Sequence, residues 1–378
     1  MFPSSFTSPL SFITWYSKAV SNPDNKHVIA TSECPPKNSG NNIRFTFEAP
    51  FSINVFIIIV LLIFSEIIFR SLNLVPLQGY DKKIFIEENE VVLNRPNSLL
   101  IAAGKKVKTD KNGFRVPLKS KKYNSDLKNT LILGDSTSFG FGVDEKDTFI
   151  GILRNKVKYN LHNGSVIGHN TDSYLYQLKK YFDKTNPDFD NVIIFLCLND
   201  IITKEGVVID QKLKKTINLE KDNFIIQFLK RDIIFKANVF LRERSSLFVF
   251  LKSILLNSVE RYYVYMSSPY ENKNSLIRYS ESFKKINDFS KEKNLNLKFV
   301  LLPFKMQTIK NCEEKYLHPQ IQTTKILKQF DLIFYDFTED FCNNKDNAKL
   351  YLNFDPVHLS KAGHELVSTL LLEKNIFN

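Results

Sequence analysis

The stretch NTLILGDSTSFG, at residues 129–140, joins an apolar run of strand length to a glycine and then to a turn rich in serine and threonine. The apolar run is typical of a buried strand, and the polar residues after Gly134 favour the start of a helix. Apolar stripes at helical spacing separate four further runs of strand type, at residues 166–167, 191–198, 297–303 and 331–337. Five strands separated by helices predict a three-layer α/β/α sandwich with a mostly parallel five-stranded sheet.

Residues 51–69, FSINVFIIIVLLIFSEIIF, form the most apolar stretch of the chain. About 20 predominantly apolar residues span a bilayer core. The one acidic residue, Glu66, lies near the end of the stretch, with Arg70 four residues further on. The pattern predicts one transmembrane anchor at residues 51–72, and a buried core helix is the alternative. Basic residues on the two sides nearly balance, so charge leaves the orientation open.

The remaining sequence divides by composition. Residues 1–50 are polar and predict a disordered or irregular N-terminal tail, and residues 73–127 predict a connecting arm. Residues 128–378 form the predicted α/β domain, with a helical insertion at about 201–272 where apolar and basic residues mix. We interpret the insertion as helices packed on the edge of the core. A lid and a basic surface resting on a membrane are the alternatives.

The net charge and the motifs of the chain limit the classes of partner that it is predicted to bind. Lysine and arginine number 52 against 40 acidic residues, a formal net charge of +12. This excess is typical either of a solvated lysine-rich surface or of attraction to an anionic membrane or acidic glycan. The basic clusters lack interleaved aromatic residues and nucleic-acid motifs, so no nucleic-acid partner is predicted. With neither an HExxH motif nor a phosphate-binding glycine loop, no metal and no cofactor are predicted.

Glycine placement points to the functional site. Six of the 12 glycines lie between residues 134 and 168, and glycine is favoured where the backbone takes a positive φ or approaches a ligand. Ser136 falls in this window, just past a strand end, where parallel sheets bind ligands. At a helix start its hydroxyl would lie beside unpaired N–H groups, which suits a nucleophile with an oxyanion donor. A helix cap is the alternative role.

A serine nucleophile needs a base, and the chain holds six histidines. His358 follows Asp355 by three residues, directly before the last predicted helix, and Asp355 is placed to orient its ring. Such a DxxH match also arises by chance. His364 lies on the helix itself and is predicted to be a packed or surface residue.

Two more residues follow predicted strand ends. Gly168 is placed to present a backbone N–H, and Asn199 is placed to present a side-chain amide, so both are candidates for stabilising an oxyanion. The alternatives are a simple turn for Gly168 and a capping residue for Asn199.

In this order the features resemble the four blocks of the SGNH (GDSL-type) hydrolase family, over about residues 128–375. The resemblance implies an SGNH-type, flavodoxin-like sandwich in which Ser136 is the nucleophile, His358 the base and Asp355 the residue that orients it. It also implies an oxyanion hole made by the N–H of Ser136, the N–H of Gly168 and the amide of Asn199. The stretch TDKNGFRVP at residues 109–117, and an anchor ending in Glu then Arg, are similar to membrane-anchored bacterial members.

Two blocks depart from the family pattern. The third block usually reads GxND, and here Cys197 takes the glycine position. Its side chain is expected to narrow the pocket and to leave Asn199 in place. The second block, at residues 163–168, matches loosely. Misplacing one oxyanion donor would lower activity by about 10²–10³-fold.

The resemblance implies a membrane-anchored serine esterase that hydrolyses an acyl ester, with O-acetyl as one candidate, on a glycan or lipid. An O-acyltransferase with the same triad and a non-catalytic glycan-binding or scaffold protein are the alternatives. The family topology places the domain in the periplasm or outside the cell, on a single-pass anchor in the cell membrane. In such a compartment a disulfide between Cys312 and Cys342 could form. The spacing of the cysteines in the sequence does not show whether it does.

Overall fold

The computed structural model describes residues 51–119, 123–184, 189–202 and 232–377 of the 378-residue chain. The predicted tail at 1–50 and the part of the predicted insertion at 203–231 lie outside these residues. The strands, in chain order, are β1 Phe85–Glu88, β2 Val91–Asn94, β3 Leu99–Ala102, β4 Lys105–Thr109, β5 Arg115–Val116, β6 Lys128–Leu133, β7 Tyr159–Asn163, β8 Asn191–Leu196, β9 Asn296–Leu301 and β10 Ile333–Asp336.

The α-helices, in chain order, are α1 Phe51–Ser71, α2 Ser136–Phe139, α3 Phe149–Leu153, α4 Thr171–Lys184, α5 Asp232–Arg244, α6 Ser246–Leu256, α7 Ser258–Ser267, α8 Lys273–Glu292, α9 Lys305–Ile309, α10 His318–Gln329, α11 Thr338–Cys342 and α12 Lys361–Glu373. Short 3₁₀ helices are formed by Lys82–Ile84, Glu145–Asp147, Leu198–Ile201, Ser268–Glu271, Glu314–Tyr316 and Asn347–Leu350.

An eight-stranded sheet, in the order β10-β9-β8-β6-β7-β5-β4-β3, forms the centre of the protein. The first five strands in this order run parallel, and the last three add antiparallel pairs. The predicted sandwich with a mostly parallel sheet is confirmed, and the sheet is three strands larger than expected. The extra strands come from the predicted connecting arm, where β4 reads KKVKT. Lysines interrupt its apolar residues, so this segment lacks the continuous apolar run that marks the parallel strands.

Helices cover both faces of the sheet. In parallel register Phe195 on β8 lies opposite Val300 on β9, so Phe195 and Phe299 point to opposite faces because successive strand residues alternate. Phe149 of α3 packs on Phe195, whereas Phe283 of α8 packs on Phe299. The helices therefore form the two outer layers, and every residue of β8 is buried between them.

The second parallel strand lies away from the position that the sequence predicts. The apolar pair at 166–167 is a turn, and the strand is β7, YNLHN, at Tyr159–Asn163. Asn160 donates to the carbonyl oxygens of Asn124 and Leu127, and His162 bonds to the Asn129 side chain. A search for apolar runs does not detect a strand that buries polar side chains such as these.

α1 has the length of a membrane span. Its 21 residues extend about 31 Å at 1.5 Å per residue, close to the thickness of a bilayer core. None of its residues is buried. Among the described residues, this is the one helix long and apolar enough to cross a membrane.

The end of α1 contacts the first turn of α6 through Glu66. The Glu66 carboxylate accepts hydrogen bonds from the backbone N–H groups of Ser246 at 3.0 Å and Leu247 at 2.9 Å. It also accepts from the Ser245 hydroxyl at 2.8 Å and from Arg70 Nε at 2.6 Å. A carboxylate at a helix N-terminus is stabilised by the unpaired N–H groups there, so α1 holds the start of α6.

Candidate active site

The turn after β6 is built around a glycine that approaches its neighbours closely. A Cβ on Gly134 would lie 2.1 Å from Ser138 Oγ and 3.0 Å from the Phe195 carbonyl oxygen. The Asp135 carboxylate accepts from the Thr137 N–H at 2.8 Å and so caps α2. Because Asp135 is the cap, the hydroxyl of Ser136, the first residue of α2, remains for other contacts.

Ser136, His358 and Asp355 form one chain of hydrogen bonds. His358 Nε2 lies 2.9 Å from Ser136 Oγ, and His358 Nδ1 lies 2.8 Å from Asp355 Oδ2. The other carboxylate oxygen of Asp355 accepts from the backbone N–H groups of Val357 at 2.9 Å and His358 at 2.8 Å. With Nδ1 donating to Asp355, Nε2 is the free acceptor, and the serine hydroxyl donates to it.

The surroundings of the pair make Asp355 more acidic and His358 more basic than the free side chains. Burial alone would raise the pKa of Asp355, but the His358 ring and the backbone donors lower it below its ordinary value. Burial alone would lower the pKa of His358, but the Asp355 carboxylate raises it above its ordinary value. The Phe141 ring packs on the imidazole with 4.5 Å between ring centroids, which limits the movement of the ring.

Asn199 lies at the end of β8, where the predicted oxyanion donor was placed. Its amide nitrogen donates to Asp135 Oδ2 at 2.9 Å. An amide nitrogen carries two hydrogens, so this bond fixes the side chain and leaves one N–H for another acceptor.

Gly168 has φ +84°, a left-handed conformation that glycine adopts without penalty. A Cβ there would meet nothing within 4 Å, so the backbone conformation, rather than lack of space, favours glycine. Ser136, Gly168, Asn199, Asp355 and His358 all line one cavity of about 630 Å³. The structure therefore brings every predicted site residue to the same cavity.

Cys197, the departure from the family pattern, does not narrow this cavity. It is buried in the core, and it is not among the described residues that line the cavity. Burial raises the pKa of its thiol well above the ordinary value, so the thiol stays protonated. His364 is fully buried against Phe149, and burial lowers the pKa of its ring to about 3. It is a packed residue outside the hydrogen-bond chain.

Arg115 supports the site and was not identified as a functional residue from the sequence. It is fully buried, and its guanidinium donates to the carbonyl oxygens of Phe139 at 2.6 Å, Gly140 at 2.7 Å and Val143 at 2.7 Å. Burial lowers its pKa to about 10, so the charge is retained at neutral pH. Arg115 thus fixes the loop behind Ser136, and its position within TDKNGFRVP was the signal that could have revealed it.

Two basic residues of the insertion also line the cavity, Arg242 at the end of α5 and Lys252 on α6. No motif marks either residue, and only the packing of the insertion over the strand ends brings them there.

A serine, a histidine and an aspartate joined by hydrogen bonds at the carboxyl edge of a parallel sheet have the arrangement of a serine hydrolase. A family described as GDSL-like lipase/acylhydrolase matches residues 131–371, more than half of the chain, and the chain belongs to this family. It is therefore an enzyme that hydrolyses ester bonds. No curated protein matches the sequence.

Solved structures of similar proteins include a member of the lipolytic G-D-S-L family from Veillonella parvula, with 14% identity and a TM-score of 0.38, covering 65% of this chain and 97% of that one. TesA has 12% identity and a TM-score of 0.38, covering 65% of this chain and 97% of its own. The psychrotrophic esterase EstA from Pseudoalteromonas sp., inhibited by monoethylphosphonate, has 15% identity and a TM-score of 0.37, covering 66% of this chain and all of its own, 100%.

Proposed function

We propose that the protein is a membrane-anchored serine esterase with Ser136, His358 and Asp355 as its catalytic triad. The observation that carries this proposal is the unbroken hydrogen-bond chain from Asp355 through His358 to Ser136. Ser136 Oγ attacks the ester carbonyl carbon while His358 Nε2 takes its proton, and His358 then returns that proton to the leaving alcohol. Water repeats the sequence on the acyl-serine and releases the acid.

The developing oxyanion is stabilised by the N–H groups of Ser136 and Gly168 and by the free N–H of Asn199. The contact between Asn199 and Asp135 supports this role, because it holds the amide before substrate binds. Donors fixed in advance need no reorganisation during the reaction.

Turnover of para-nitrophenyl acetate and butyrate by the purified full-length chain in neutral detergent tests the triad. His358→Gln should lower kcat by about 10⁴-fold or more, and His318→Gln, a change outside the cavity lining, should leave it near the wild-type value. Equal activity of wild type and His358→Gln would refute the assignment.

The anchor proposal rests on α1, whose apolar residues are exposed along its length. We expect the full-length chain to stay with the membrane after extraction at alkaline pH, since a spanning helix resists this treatment whereas peripheral proteins are released. Leu62→Lys should weaken insertion, whereas Leu62→Ala should not, because a lysine at a span centre costs about 2.5–3.5 kcal/mol on insertion scales. Release of the wild-type chain into the soluble fraction would contradict the anchor.

We propose that the catalytic domain faces an oxidising compartment, the periplasm or the exterior. The pairing of Cys312 with Cys342, whose Cα atoms lie 5.8 Å apart, supports this orientation, since disulfides persist in such compartments. Alkylation of the denatured, unreduced chain should therefore modify Cys197 and leave Cys312 and Cys342 unmodified. Modification of all four cysteines in protein taken directly from cells would contradict the proposal.

The proposed substrate is an acyl ester, such as an O-acetyl ester, on a glycan or lipid at the membrane surface. The contact of Glu66 with α6 supports this location, because α6 lines the cavity and α1 is the proposed anchor. The exposed apolar side chains of Leu251, Ile254 and Leu255 on α6 add to this support, since exposed apolar patches favour contact with membranes or partners.

A further inference from the structure

The insertion contributes two cations to the cavity that contains the serine. Arg242 lies in the last turn of α5 and Lys252 on α6. Both line the cavity that Ser136 and His358 also line. Both residues are partly buried. Cations held in such a place are costly unless an opposite charge lies nearby.

Lys252 has a neutral partner. Its Nζ atom donates to the Asn238 side-chain oxygen at 3.0 Å. Burial, and next the charge of Arg242, lower the pKa of Lys252 to about 8. Lys252 is therefore still charged at neutral pH, and no carboxylate among the described residues pairs with it.

Arg242 likewise has no counter-charge among the residues that the structure describes. Its Nε atom is buried without a hydrogen-bond partner, as is the hydroxyl of Ser258, which lines the same cavity. Throughout the described part of the chain, no side chain forms an ion pair with Arg242 or Lys252.

Among the described residues, the carboxylates that line this cavity are those of Asp355 and Glu90. Asp355 lines the cavity but is held by His358 and by backbone N–H groups. Glu243, beside Arg242 in sequence, pairs with Arg244 at 3.2 Å. Glu90, also on the cavity lining, is exposed to solvent and has an interaction partner of its own.

We propose that the substrate is an ester that also carries an anionic group, a carboxylate or a phosphate, which binds to Arg242 and Lys252 while Ser136 attacks the ester carbonyl. This inference rests on the proposed function and names the substrate class for the same site. The guanidinium offers paired N–H donors to such a group, and the ammonium adds a point charge. The Ser258 hydroxyl supplies a further donor. The anionic group takes no part in bond making or breaking.

A soluble acid ester and an anionic lipid ester both have this chemistry, so the experiment has two arms. The full-length protein in neutral detergent is assayed with mono-para-nitrophenyl glutarate against para-nitrophenyl valerate, a neutral ester of the same acyl length. It is also assayed with lysophosphatidylglycerol against monoacylglycerol in mixed micelles. The quantity compared is the ratio of kcat/KM for the anionic ester to that for its neutral partner.

In the wild type we expect this ratio to be about 10 or more in at least one arm, and the arm identifies a soluble or a lipid source. Arg242→Gln and Lys252→Gln should each lower the ratio by about tenfold. Lys252→Arg, which keeps the charge, and Lys236→Gln, which removes an exposed charge from α5, should preserve it. Because each ratio is internal to one variant, a loss of folded protein does not change it.

A ratio near 1 in both arms, with neutral esters hydrolysed normally, would overturn the inference and leave the proposed function intact. The same conclusion follows if Lys236→Gln lowers the ratio as much as Lys252→Gln, because general surface charge would then account for the preference. If no ester of either kind is hydrolysed, the proposed function fails first and the inference falls with it.

Discussion

The two sides of the cavity differ in how their polar groups are partnered. On the side formed by the strand-end loops, His358 is paired with Asp355 and Asn199 is held by Asp135. On the side formed by α5 and α6, Arg242 and Lys252 have no carboxylate partner within the described residues. Within the described residues, His358 on the first side has a carboxylate partner, whereas the two cations on the second side have none. We infer that the first side makes and breaks bonds and that the second side selects the substrate.

The largest effect is expected on the strand-end side, from Asp355→Asn. The asparagine keeps the size of the side chain but removes its charge and disfavours the tautomer with a proton on Nδ1, so kcat should fall by about 10⁴-fold. Asp346→Asn, at an exposed carboxylate paired with Lys349, is the control and should retain wild-type activity.

The same variant should shift the pH profile in a direction set by the charge. Burial alone would lower the pKa of His358. The Asp355 carboxylate raises this pKa by more than burial lowers it, so the net shift is upward. His358 acts as a base only when neutral, so wild-type kcat/KM should fall as pH decreases through this raised pKa. Without the carboxylate the pKa falls, and the acid limb of Asp355→Asn should lie at lower pH. An acid limb at the wild-type pH would show that Asp355 does not control His358.

An intermediate effect is expected from Asn199→Ala. In the proposed mechanism its free N–H binds the oxyanion rather than the ground-state ester, so kcat should fall by about 10²–10³-fold with little change in KM. Steady-state kinetics with a neutral ester measure both constants. Ser173→Ala, at another residue that lines the cavity, is the control and should change kcat and KM much less than Asn199→Ala changes kcat. A rise in KM with an unchanged kcat would place Asn199 in substrate binding instead.

The smallest effect is expected from Glu66→Gln, at the contact between α1 and the start of α6. Glutamine keeps the size but removes the negative charge at the start of α6, which should cost about 0.5–1 kcal/mol of stability. Tm of the full chain in detergent should fall by a few degrees (about 1–4 °C), whereas Glu292→Gln at an exposed site should leave it unchanged. Equal Tm values for the wild type and Glu66→Gln would show that this contact does not stabilise α6.

The strand-end side could be predicted from the sequence because its signals are local. Ser136 directly follows an apolar strand and His358 directly precedes a helix, and the parallel topology then brings such segments to one edge. β7 could not be predicted in this way, because Asn160 and His162 are buried polar residues whose hydrogen-bond partners lie 31 to 36 positions away.

The insertion side could not be predicted because its signals are not local. Arg242 and Lys252 belong to different helices, and in the sequence they are two among 52 basic residues. Their role depends on burial beside a cavity and on the absence of a carboxylate within the described chain. Only tertiary packing determines both properties.

Labelling with a fluorophosphonate tests most directly whether Ser136 is an activated nucleophile. The reagent forms a stable phosphonyl ester with a serine whose neighbouring base removes its proton. We expect mass spectrometry of the labelled full-length chain to place the adduct on Ser136. Labelling should disappear in Ser136→Ala and persist in Ser173→Ala. An adduct on another serine, or folded wild-type protein that hydrolyses esters without being labelled at Ser136, would contradict the proposed triad.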